Sequence, residues 1–259
     1  MNQTQPQQRK DRTRKKLMRT TGIPLLLVGV LLGMALAGVA IWGDLEANRF
    51  DENLSHFRDA SLKTLRCPVL LTKGESGTVT ATFDNPLDRS LTLTVRTHVS
   101  RYLTYLRDDT QLLPLSPGQK KKLEWTVTPD DIVYGHLILV KTLQLRHYPL
   151  PGRLASCGIV VLDILYPTGK VLFGLALAVS LLSIGGGLAL WWAGSQPLTK
   201  RRRQTMRTLG ALAIAVVIDM IPSFMGWWMA GALIFAIDVL LIGAIIEHFV
   251  NRPPEHTMP

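Results

Sequence analysis

Cysteine is nearly absent from this sequence, which carries two, Cys67 and Cys157, in 259 residues. No paired CxxC occurs, which removes the usual zinc-ribbon and thiol-redox signatures. G-x-S-x-G, H-E-x-x-H and the glycine-rich phosphate loop are missing too, so the sequence signals no serine hydrolase, zinc peptidase or nucleotide site. His98, His136 and His147 are scattered singly and do not offer metal-ligand spacing. The expectation is a non-enzyme with no cofactor and no bound metal. Acidic residues are also scarce, 19 against 29 Lys and Arg, leaving a net charge of +10. Such a balance could mark a nucleic-acid binder, but no recognised binding motif or aromatic platform accompanies it. No nucleic-acid partner is expected.

What is abundant is apolar residue, 47% of the chain. It collects in one block near the N-terminus and in a long region over the last third, with an ordinary soluble composition between. Ile23–Trp42 runs about 20 residues without a charge, enough helix to cross a hydrocarbon core of roughly 30 Å. A second such stretch is Val171–Trp192. The third apolar region, Leu209–Val250, is twice one span, and Pro222–Gly226 divides it. Basic clusters abut these spans, QQRKDRTRKKLMR before the first and TKRRRQTMR before the third. That is the positive-inside pattern.

The segments predicted are a basic cytoplasmic tail over 1–22, a first span over 23–43 and a polar, helix-compatible stalk over 44–65. An extracytoplasmic domain follows over 66–166, then a second span over 169–194 and a basic cytoplasmic loop over 195–207. The third span covers 208–222, the fourth 227–250, and a cytoplasmic tail 251–259. Both termini then lie inside a plasma-membrane protein, with 44–168 outside. Trp42, Trp227 and Trp228 fall at the outer boundary and Trp191 and Trp192 at the inner one, as interfacial anchors. The small-residue run Ala35–Ala40 also resembles a signal-peptidase site, with cleavage near Ala37 or Ala40. The apolar stretch is long for a signal peptide, which favours an uncleaved anchor.

In the middle segment the period changes to two. Ser76–Phe83, Ser90–Val99, Lys122–Thr128 and Leu137–Leu145 alternate and are rich in threonine and β-branched residues, and Cys157–Ile164 closes the series. Turn signals separate them at Lys73-Gly74, Asn85-Pro86, Ser116-Pro117-Gly118 and Pro151-Gly152. Six or seven short strands so spaced predict a β-sandwich inserted between the first two spans of a four-helix membrane bundle. Both cysteines fall in its first and last predicted strands. In an oxidising compartment their pairing is expected. It would close a loop of about 90 residues, worth roughly 4–5 kcal/mol in the chain-entropy account.

The segments FDNPLDRSLTLTV and LSPGQKKKLEWTVTP, with a strand after Tyr134-Gly135, resemble bacterial immunoglobulin-like or fibronectin-III-like accessory modules. The resemblance spans about residues 66–165 and departs from antibody domains in the placement of Trp125 and Cys67. It implies a sandwich used for adhesion or interaction, and it transfers no site residue.

Few residues point to chemistry. Asp108-Asp109 and Asp130-Asp131 lie beside predicted turns, where solvated carboxylates are commonplace and calcium is a remote alternative. Lys120–Lys122 reads as an exposed strand start that could touch headgroups. Within the spans, Gly29, Gly33 and Ala37 form a small-residue stripe, and Ser183, Gly187 and Trp191 share a face of the second helix. Those stripes predict helix packing, within the chain or against another subunit. Asp219 and Asp238 are carboxylates in apolar helix, costing at least about 2.5–3.5 kcal/mol if they faced lipid. Counting from the turn puts them about two turns apart in depth, so a close pair is not expected.

Taken together, these features predict a non-catalytic membrane interaction or assembly protein. Its partners would be lipid and other membrane subunits or itself. The alternative is a small transporter or channel subunit using Asp219 and Asp238.

Overall fold

A computed structural model describes residues 5–102, 105–196 and 200–250 of the chain. The expected tail 251–259, and 1–4 and 197–199 of the expected basic segments, lie outside the described residues. In chain order a long helix comes first, α1 (Gln5–Arg49), then a short α2 (Glu52–Ser55). Eight strands follow: β1 (Ala60–Ser61), β2 (Leu70–Thr72), β3 (Gly77–Asp84), β4 (Leu91–Arg101), β5 (Tyr105–Leu115), β6 (Lys120–Val127), β7 (Leu137–Gln144) and β8 (Arg153–Leu162). Three helices end the described chain, α3 (Gly169–Gly194), α4 (Lys200–Phe224) and α5 (Trp228–Val250). Four helices, α1, α3, α4 and α5, are long and apolar enough to cross a membrane.

The chain forms two compact units. The strand unit holds Val39–Leu175 together with Ser223–Trp228. Its larger sheet has the order β1-β8-β7-β4-β5, with β2 also on β8. The short strands β1 and β2 run parallel to β8, while β4, β5, β7 and β8 pair antiparallel. Strands β3 and β6 make a separate antiparallel pair from Gly77↔Val127 to Asp84↔Lys120. Alternation aims Val79, Ala81 and Phe83 of β3, and Trp125 and Val127 of β6, at one core. Leu93 and Val95 of β4, Leu113 of β5, Val140 of β7 and Ile159 of β8 meet them from the larger sheet. A buried side chain such as Phe83 contributes roughly 1.5–3 kcal/mol to this core.

Strand β7 is buried along its whole length, on both faces. Its second face is covered by a smaller core in which Leu137, Leu139 and Val160 meet Ala47 of α1, with Phe50, Leu172 and Phe173 packed alongside. Leu54 of α2 closes over Leu143 and Leu154. This corrects the predicted stalk over 44–65. Helix α1 continues to Arg49, and the chain after it lies on the sheet, with Leu62 and Leu65 in the main core. The apolar spacing in that polar-looking segment is too sparse to read without the surface it covers.

Strand β5 is a second difference. Its sequence YLRDDTQLLPL puts Asp108 and Asp109 inside a strand rather than beside a turn. It is the edge strand of the larger sheet, where one face meets solvent and tolerates charge. Cys67 precedes β2 instead of lying within a strand. Asp131 sits in a 3-10 turn, Pro129–Asp131, and is buried, its carboxylate accepting from the Thr128 amide at 2.8 Å. It caps that turn rather than standing in solvent.

The helical unit holds residues up to Gly38, Ala176–Pro222 and Met229 onward. Helix α4 begins at Lys200, within the predicted loop 195–207, and runs through Pro222 to Phe224. In the last helical turn proline forfeits one backbone hydrogen bond without ending the helix. The actual break is at Met225-Gly226, where Gly226 takes a φ of 78°. That left-handed geometry is the usual helix terminator, and glycine adopts it without strain.

Candidate functional site

Cys67 and Cys157 are joined in a disulfide, with Cα atoms 6.4 Å apart and 90 residues between them in sequence. The bridge ties the segment entering β2 to the middle of β8. Next to Cys157, Gly158 meets Gly43 so closely that a Cβ on Gly158 would overlap the Gly43 carbonyl.

In the helical unit, Gly29, Gly33 and Gly187 lie at close approaches between helices. A Cβ on Gly187 would stand 2.6 Å from the Leu26 amide nitrogen, and one on Gly29 2.7 Å from that of Ile184. Ser180 donates to the Gly29 carbonyl at 2.8 Å, closing the contact with a hydrogen bond. Gly33 faces Ser180, Val216 and Met220, and Ala37 is buried. Gly22 and Gly194 extend the same α1–α3 seam and were not singled out in the sequence, although their spacing of seven from Gly29 and Gly187 continues the pattern.

The tryptophans divide. Trp192 and Trp227 are half-exposed, and Trp42 is part-exposed with its ring stacked on His136 at 5.2 Å. Trp228 is partly covered. Trp191 departs from the predicted anchor role: it is 4% exposed and packs where Gly22 leaves room for its backbone and Cβ. A large ring on the glycine-lined face is drawn into the helix seam.

Asp219 and Asp238 are both buried, at 1% and 0% exposure. Neither carboxylate oxygen of Asp238 meets a hydrogen-bond donor among the described residues. This stands out on α5, where only 11% of the most apolar stretch is covered.

A polar node that the sequence did not reveal lies behind β7. Lys141 is wholly buried, and its ammonium donates to the carbonyls of Asn48 (3.1 Å), Phe50 (2.6 Å) and Asp51 (3.1 Å) and to Ser55 Oγ (2.9 Å). The first three acceptors are carbonyls at the C-terminal end of α1 and just past it, which a cation satisfies. Burial pushes the Lys141 pKa below that of an ordinary lysine. A charged residue inside LILVKTLQ was the one available signal of such a buried partner.

Asp51 takes a left-handed φ of 44° and turns its carboxylate onto His98 Nδ1. On the other side of that ring, Asp108 approaches Nε2 at 3.4 Å and is held by Arg96, whose Nε donates at 3.0 Å. The Arg96 hydrogen bond holds the Asp108 carboxyl below its ordinary range. Among the described residues no three His, Cys, Asp or Glu converge as metal ligands would.

A cavity of about 90 Å³ opens in the strand unit beside the disulfide. Asp44 lines it together with Ser61, Lys63, Arg66, Ser156 and the Ser223–Trp227 turn. Asp44 is 6% exposed, and its Oδ1 accepts from the Gly158 amide at 3.2 Å.

No family model matches the chain, and no curated protein matches it either. Solved structures match in part. The cycloisomaltooligosaccharide glucanotransferase of Paenibacillus sp. aligns over 42% of this chain and 14% of its own, at 16% identity and a TM-score of 0.30. The β-glucosidase of Listeria innocua aligns over 39% and 16%, at 16% identity and 0.32. A CARDB domain of Pyrococcus furiosus, solved with di-metal ions, aligns over 39% of this chain and 90% of its own, at 12% identity and 0.32. The chain thus spans about one-seventh of the two enzymes, and likenesses this weak carry no functional inference.

Proposed function

We propose that this chain is a non-catalytic integral membrane protein of the plasma membrane. It presents an immunoglobulin-like domain outside the cytoplasm, as a subunit or accessory factor of a membrane complex. In this reading α1, α3, α4 and α5 cross the bilayer with both termini inside, and the strand unit is inserted between the first and second crossings. The observation that carries the reading is the uncovered apolar surface of the helices. Narrow glycine stripes close α1 on α3, while α5 leaves Met229, Leu233 and Leu240 about two-thirds exposed or more. Such faces need lipid or another membrane helix against them. The bonded disulfide supports an oxidising location for the strand unit. Purification from native membranes in mild detergent, with mass spectrometry of what accompanies the chain, tests it. A stoichiometric membrane partner or a homo-oligomer is expected, and recovery of monomer alone after crosslinking would refute it.

One observation favours a second reading, a small transporter or channel subunit. Asp238 buries a carboxylate without a donor, the state expected of a group that exchanges a proton or awaits an ion. Asp219→Asn and Asp238→Asn variants that rescue every defect of a deletion strain would eliminate it.

A further inference from the structure

We propose that the cavity at Asp44 receives the primary ammonium of a phosphoethanolamine lipid headgroup, while Lys63 and Arg66 take its phosphate. The inference rests on the reading above that the chain is a membrane protein. Asp44 is a buried carboxylate whose Oδ1 accepts from the Gly158 amide. A buried carboxylate is stabilised by a paired cation, and one amide does not supply that. Both cations lining the same cavity, Lys63 and Arg66, are exposed. Arg66 spends Nη1 on the carbonyls of Lys63 and Leu65, at 2.9 and 2.8 Å, and keeps Nη2 and Nε for an incoming anion. Acid inside and bases exposed to solvent match a zwitterion that enters amine first.

Hydrogen-bond chemistry narrows the choice. A primary ammonium offers three N–H donors to Asp44, and a trimethylammonium offers none. Met225 and Trp227, both exposed on the turn that lines the cavity, provide apolar and amphipathic surface for the glycerol end. Together these features select a phospholipid over a free amino acid or amine.

Native mass spectrometry of the full chain in micelles tests this, with phosphatidylethanolamine offered against phosphatidylcholine of the same acyl chains. The N-monomethyl and N,N-dimethyl lipids complete the series. The wild-type chain should retain the primary amine about tenfold over the trimethyl lipid, the worth of one charge-assisted hydrogen bond, with the methylated lipids between. Asp44→Asn should abolish the preference. Lys63→Gln with Arg66→Gln should weaken retention while keeping the order of the series. Equal retention of all four lipids by the wild-type chain would overturn the proposal without depending on whether any variant folds. So would an Asp44→Asn chain, with its melting temperature intact, that still prefers the primary amine. Soluble phosphoethanolamine displacing the lipid at equal concentration would assign the site to a free metabolite and overturn the lipid assignment. The micelle measurement is independent of transmembrane orientation. Labelling of a Trp227→Cys chain from the cytoplasmic side alone would refute the topology and leave the lipid preference to be judged separately.

Discussion

Replacing Lys141 with methionine keeps an unbranched stem of similar length and removes every N–H that reaches the end of α1. Four acceptors lose their donor, three of them carbonyls at and just beyond the end of that helix. Hydrogen bonds to a charged donor contribute about 1.5–3 kcal/mol each, so the loss summed over the carbonyls is about 4–6 kcal/mol once their geometry is allowed to relax. Against this, the variant no longer buries an ammonium, which returns several kcal/mol. The net expectation is a local destabilisation of about 2–4 kcal/mol, felt by the segment from Asn48 to Arg58 that rests on β7. In hydrogen exchange of the detergent-solubilised full chain, amides of that segment should open about 30- to 1,000-fold more often. Protection within threefold of wild type would refute the assignment of Lys141 as the group holding the segment down. The pH dependence has a definite sign. Burial holds the folded pKa below the ordinary 10.5, so the fold disfavours the protonated amine. Stability should therefore rise with pH between the folded pKa and that ordinary value, because the unfolded chain binds the extra proton. The neutral amine keeps two N–H donors and still serves carbonyls. Lys141→Met should lose both the rise and the donors.

Cys67→Ser should shift migration on a non-reducing gel and cost the strand unit roughly 4–5 kcal/mol by loop-closure entropy, leaving Cys157 alkylatable, whereas the wild-type chain should offer its two thiols only after reduction; a wild-type chain alkylatable as folded would refute the bridge. Gly187→Leu places side-chain carbon where Leu26 already lies, so the α1–α3 seam must part; a loss of about 2 kcal/mol or more is expected, read as a lower melting temperature in detergent, whereas Gly174→Leu, in open space, should be near neutral. Arg96 holds the Asp108 pKa down, so this pair's contribution is complete above the ordinary carboxylate range and lost as pH falls through the lowered folded value. Arg96→Gln should return the Asp108 titration, followed by carbon NMR, to the ordinary range, and an unchanged midpoint would refute the coupling.

The helices and most strands were legible because their signals are local. Apolar runs of span length, threonine alternation and basic flanks need no knowledge of neighbours. Strand β5 was not legible, since an edge strand can carry Arg107, Asp108 and Asp109 in succession and resemble a turn until its partner β4 is known. Residues 52–65 failed for a related reason: Leu54, Leu62 and Leu65 are buried by a sheet that forms from later sequence. The glycine stripe on α1 was visible, but the descent of Trp191 into it was not, because a tryptophan at a helix end ordinarily anchors at an interface. Pro222–Gly226 was legible as the break, and within it the helix runs on through Pro222 until Gly226 ends it. Lys141 and Asp44 lay hidden because a lone charge in sequence says nothing of the carbonyls or amide that receive it.

Residues Ser223–Trp228 belong to the strand unit, although all of α3 and most of α4 precede them in the chain. During synthesis, Ser223 leaves the ribosome about 65 residues after Gly158, a delay of roughly 3–13 s at ordinary elongation rates. The sheets can close and the cysteines can meet in that interval, but the wall of the Asp44 cavity cannot. The strand unit is therefore finished by the last helical hairpin to be made, and a fragment stopped at Leu175 would present disulfide-bonded sheets with the cavity left open.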